Sequence, residues 1–95
     1  MTRFLRSDKH PEGYKLEDLL MHLRADMIHR CEAIANDHRP EALAVMHNNL
    51  KILTHLSESI SLALDSTRLL DRAFGPSQAA KGGPPRIGRT DDQAA

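Results

Sequence analysis

Aromatic residues are almost missing from this chain: Phe4, Tyr14 and Phe74 are the only three, and there is no Trp. Val is scarcer still, with Val45 alone. Strands draw on β-branched and aromatic side chains, so this composition argues against a β-sandwich or barrel. A supply of Leu, Ile, Met and Ala points instead to helices packed on helices. A single cysteine, Cys31, leaves no internal disulfide framework and fits a reducing compartment. No stretch approaches the roughly eighteen consecutive apolar residues of a membrane span. The start, Met1-Thr2-Arg3-Phe4-Leu5-Arg6, carries charge with no apolar run behind it, so a secretory signal is not expected. The expected location is cytoplasmic.

A surplus of either charge is also lacking, with thirteen basic against thirteen acidic residues. Neutralising nucleic-acid phosphates needs a cationic excess, so nucleic acid is an unfavoured partner. Missing too are a Gly-rich phosphate loop, a Cys-x-x-Cys pair and a readable Ser-His-Asp arrangement. No enzyme and no cofactor are therefore expected.

What is present falls into three zones within one domain of 95 residues. Residues 1–14 are polar, broken by Pro11 and Gly13, and have no sustained period. Residues 15–74 read as helical. Residues 75–95 hold four Gly and three Pro with almost no large apolar groups. Such a composition cannot bury enough surface to offset its ordering entropy, so a flexible tail is expected. Gly75-Pro76 marks the stop, because Gly suits the residue after a helix and Pro cannot continue one.

The first helix is predicted from about Lys15 to Asn36. Leu16, Leu19, Leu20, Leu23, Met27, Cys31 and Ile34 fall on one stripe at 100° per residue, with Met21 and Ile28 widening one edge. The second is predicted from Pro40, a favoured first helical residue, to about Phe74. Asn36-Asp37-His38-Arg39 supplies the short turn of an antiparallel αα-hairpin. Two heptad-spaced seams run along the second helix. One is Leu43, Met46, Leu50, Leu53, Ser57, Ile60, Leu64, Thr67 and Asp71. The other is Val45, Asn49, Ile52, Leu56, Ser59, Ala63, Ser66 and Leu70. Two rows imply two sets of neighbours, the chain's own first helix and a partner, and either row could face either one.

At 1.5 Å per residue the predicted helices span roughly 33 and 52 Å. The far half of the longer one therefore needs a lid. Phe4, Leu5 and Tyr14 are the only large apolar groups upstream, so a second chain is the expected cover. A homo-oligomeric bundle follows, a two-fold dimer being the simplest closure. Its expected interface comprises Val45, Ile52, Leu56, Ile60, Ala63, Leu64 and Leu70. The function expected is that of a small helical interaction or regulatory protein, with itself and another protein as partners.

Two alternatives carry chemistry. His22, Asp26 and His29 share one helix face at i, i+4 and i+7, a spacing that could offer ligands to a divalent metal. That face points away from the predicted core, so a solvated stripe is the preferred reading of it, and a closed site needs a fourth ligand. A small-ligand site formed between subunits is the other alternative.

Overall fold

The computed structural model describes residues 4–88, and what is said of the structure concerns those residues. It is an antiparallel hairpin of two α-helices, α1 over Leu16–Ile34 and α2 over Pro40–Phe74, followed by a short 3-10 turn at Ala79–Lys81. Among the described residues there is no strand; the N-terminal segment holds only two isolated β-bridges. The molecule is 51 Å long, which is the length of α2 itself.

Each boundary has a local cause. Lys15 is extended, and Glu17 and Asp18 follow in the first turn of α1, where carboxylates favour the helix dipole. Arg39 is held extended (φ −64°, ψ 147° at Lys15's counterpart being nearly the same, here ψ 146°) by the ring of Pro40. Asp37 accepts hydrogen bonds from the Arg39 backbone N–H at 3.1 Å and from its Nε at 2.9 Å, which tightens the turn. Helix α2 ends at Gly75, whose φ of 81° is a value that L side chains rarely adopt.

The seam between the helices is thin. On α1 the residues that are buried or half-buried include Glu17, Leu20, Arg24, Met27, Cys31 and Ile34. On α2 they include Met46, Asn49, Leu53, Leu56, Ile60, Ala63, Thr67 and Leu70. The inner seam of α2 thus takes members from both of the heptad rows read in the sequence, so the rows do not divide into one for each neighbour. Ile60 (4% exposed) and Ala63 (6%) are the only hydrophobic residues below a tenth exposure among those described.

Two polar pairs cross the seam. Thr67 Oγ1 donates to Glu17 Oε2 at 2.9 Å, and Arg24 Nη1 donates to Ser57 Oγ at 3.3 Å. Glu17 is only 8% exposed. Leu16 and Leu23, expected on the inner stripe of α1, are each 46% exposed instead.

The N-terminal segment forms a hydrogen-bonded clasp. Arg6 N–H donates to the Tyr14 carbonyl at 2.7 Å and Tyr14 N–H to the Phe4 carbonyl at 2.9 Å. Ser7 and His10 exchange both backbone bonds across a tight turn. Gly13 is buried at the centre of this clasp, where an added Cβ would come within 2.7 Å of the Leu5 carbonyl carbon.

At the other end, Arg86 donates to the Asp71 carboxylate and, at 2.9 Å, to the Gly75 carbonyl. The stretch after α2 thereby returns to the helix end. Residues 89–95 of the expected tail, and residues 1–3, lie outside the described residues.

Candidate functional site

The antiparallel pair is a flat layer, and helical geometry sorts its outward residues onto two faces. Ile34 and Val45 line one cleft together with Glu41 and Ala42, which fixes the first face. Val45 (48% exposed) and Ile52 (43%) follow it along α2, while Leu23 and Leu16 follow it along α1. Leu56 and Leu19, both half-buried, lie beside them. The Arg24–Ser57 bond marks the opposite face. Leu50 and Leu43 lie one and two heptads before Ser57, and Met21 and Ile28 flank Arg24. All four are exposed, between 36% and 54%.

A layer with apolar strips on both sides has little enclosed core. Contiguous exposed apolar patches of this kind mark interaction surfaces on soluble domains. The expected interface residues divide accordingly. Val45 and Ile52 are open to a neighbour, and Leu56, Leu64 and Leu70 are half-buried. Ile60 and Ala63 are already covered within one chain and leave a partner almost nothing to touch.

At the far end of the first face lies a cavity of about 490 Å³. Leu5 and Tyr14 from the clasp, Leu16 and Glu17 from α1, and Ala63, Thr67 and Leu70 from α2 contribute to its wall, with Ala79, Ala80 and Arg86 on its tail side. The lid over this part of α2, expected from a second chain, is therefore built in part by the chain's own ends. Two short segments suffice because the clasp is folded by backbone bonds and contributes its surface without needing a core.

The histidine stripe is dispersed. His22, Asp26 and His29 are all exposed. The His22 ring meets Tyr14 edge-on at 5.5 Å between centroids, and His29 Nδ1 lies 3.2 Å from Glu32 Oε1. Among the described residues no three His, Cys, Asp or Glu side chains converge where they could hold a metal ion. Cys31 is a free, half-buried thiol. In the turn, the Arg39 guanidinium beside Asp37 holds the Asp37 carboxyl below its ordinary range.

The sequence reading missed the carboxylate Glu17 and the cation Arg24 as inward residues. The signal available was their i, i+7 spacing, in phase with Cys31. Among the described residues, no helix is long and apolar enough to cross a membrane. No family model, curated protein or solved structure matches the chain.

Proposed function

We propose that this protein is a non-enzymatic helical interaction protein that acts as a homo-oligomer through the face bearing Val45 and Ile52. The observation that supports this reading is the pair of half-exposed apolar strips flanking a core with, among the described residues, only two well-buried hydrophobic ones.

Full burial of a Leu, Val or Ile side chain is worth about 1.5–3 kcal/mol, so completing the burial of a half-exposed one adds about 1 kcal/mol. Leu16, Leu23, Val45 and Ile52, each 43–48% exposed, would then contribute about 4 kcal/mol per protomer, or about 8 for a two-fold pair. Lost rigid-body freedom costs about 4–15 kcal/mol, so a dimer of modest affinity is the reasonable outcome. The opposite face, with Met21, Ile28, Leu43 and Leu50, stays open in such a dimer and is where another protein would dock.

Multi-angle light scattering at micromolar concentration tests the reading. The wild type should run as a dimer or larger, and Ile52→Asp should yield monomers because it would bury an unpaired charge. Leu50→Asp should leave the assembly intact. Wild-type protein that is monomeric and cooperatively folded, or Ile52→Asp with unchanged mass, would overturn the proposal.

A further inference from the structure

The end cavity holds a carboxylate with an incomplete set of partners. Glu17 lines the wall and is 8% exposed, yet its side chain receives one hydrogen bond, from Thr67 to Oε2. Oε1 has no donor among the described residues. A buried acceptor left unpaired costs about 1–3 kcal/mol, more if charged.

The other charged groups of the wall, Arg6, Lys15, Asp71 and Arg86, are all more exposed. Arg86 is taken by Asp71 and the Gly75 carbonyl. Arg6 spends its Nε on the Gly13 carbonyl at 3.0 Å. Lys15 is exposed at the rim, where water solvates its ammonium group. Glu17 is thus the most buried charged group of this wall, and no cation among the described residues lies within ion-pair distance of it. The apolar part of the wall is supplied by Leu5, Leu16, Ala63 and Leu70.

From this juxtaposition we infer that the cavity binds a small organic amine, its ammonium group donating to Glu17 and its apolar body lying against the leucines. The volume, about 490 Å³, falls within the range of small-molecule sites. The ammonium supplies a donor to Oε1, and Tyr14 stands in the same wall. The site is built within one chain and does not depend on the oligomer.

The test uses n-hexylamine, with hexanoate and hexanol as matched probes, followed by ¹H–¹⁵N correlation spectra of the full chain. Hexylamine at millimolar concentration should shift the amides of Glu17, Ala63 and Thr67, while hexanoate should not and hexanol should do so more weakly. Glu17→Gln should weaken amine binding about tenfold, the worth of one charge-assisted hydrogen bond. Ser66→Phe, placed at an exposed position of the wall, should obstruct binding with helicity retained, and serves if the Gln variant misfolds. Hexanoate binding as tightly as hexylamine, no amide shift with the amine, or unchanged affinity in the folded variants would overturn the inference.

Discussion

Truncating Ile60 to Ala tests the core most directly. Its side chain is the most completely covered hydrophobic group among the described residues, at 4% exposure. The change removes three carbons, each worth about 0.8 kcal/mol when buried, so the transfer term is about 2.4 kcal/mol. Incomplete collapse of the space adds a cavity term, which brings such changes into the range of about 2–5 kcal/mol. Native domains hold about 5–15 kcal/mol in all, and a core this thin belongs at the lower end. The expected loss is therefore about a third to a half of the total stability. Urea denaturation followed by circular dichroism reads it, at one fixed protein concentration because association makes the midpoint concentration-dependent. The midpoint should fall with the slope unchanged. Leu62→Ala is the control, since Leu62 is 68% exposed and should cost within about 0.5 kcal/mol. If Ile60→Ala shifts the midpoint no further than Leu62→Ala, the hairpin seam is not where the stability resides.

Gly13→Ala should destabilise the N-terminal clasp by about 1–3 kcal/mol, because the added carbon meets the Leu5 and Arg6 backbone as well as the His10 ring. Faster hydrogen exchange at the Arg6 and Tyr14 amides is its readout. The depressed pKa of Asp37 makes a pH prediction: its stabilising contribution is present above the ordinary value of 3.8 and is lost as pH falls through the lower folded value. Acid titration of wild type and Asp37→Asn should diverge above that value and converge at low pH, by a small amount since the turn is exposed. Replacing His22 and His29 together by Ala should leave zinc uptake, measured by calorimetry, unchanged, because the two rings are engaged with Tyr14 and Glu32 rather than with each other.

The hairpin was legible because its boundaries rest on local chemistry. Pro40 and Gly75 fix the limits of α2, and the observed span, Pro40–Phe74, is the one expected from them. The ends of α1 moved inward by one residue at Lys15 and two at Asn36, where no side-chain cap holds them. Its rotation was less legible. The apolar arc from Leu19 through Leu20 to Met21 is wider than one partner helix can cover, so the pattern allows several rotations. What selects one is a pair of hydroxyls on the other helix, Ser57 and Thr67, which receive Arg24 and Glu17. Periodicity of apolar residues cannot reveal this, since it scores Glu17 and Arg24 as solvent-facing. The end cavity was hidden for a related reason: its wall joins residues 5 and 86, and no local pattern links them.

Those two polar pairs also bear on why the helices hold one register. The aliphatic members of the α2 seam could substitute for one another, as Leu53 and Ile60 lie one heptad apart. A slip of one heptad would leave the apolar packing nearly as good. It would set Glu17 against Ile60 or Phe74 in place of Thr67, and Arg24 against Leu50 or Leu64 in place of Ser57. Neither charge would then find a donor or acceptor on the facing helix, at about 1–3 kcal/mol or more for the buried Glu17 and less for the half-buried Arg24. Buried polar residues within helix seams are best attested in this registering role. The register matters for the outer surfaces as well. A heptad slip displaces α2 by about 10 Å along α1, which would pull Ile52 away from Leu23 on one face and Leu50 away from Ile28 on the other. Both apolar strips are composed of residues from two helices, so each depends on the register that the Glu17 and Arg24 bonds help to hold.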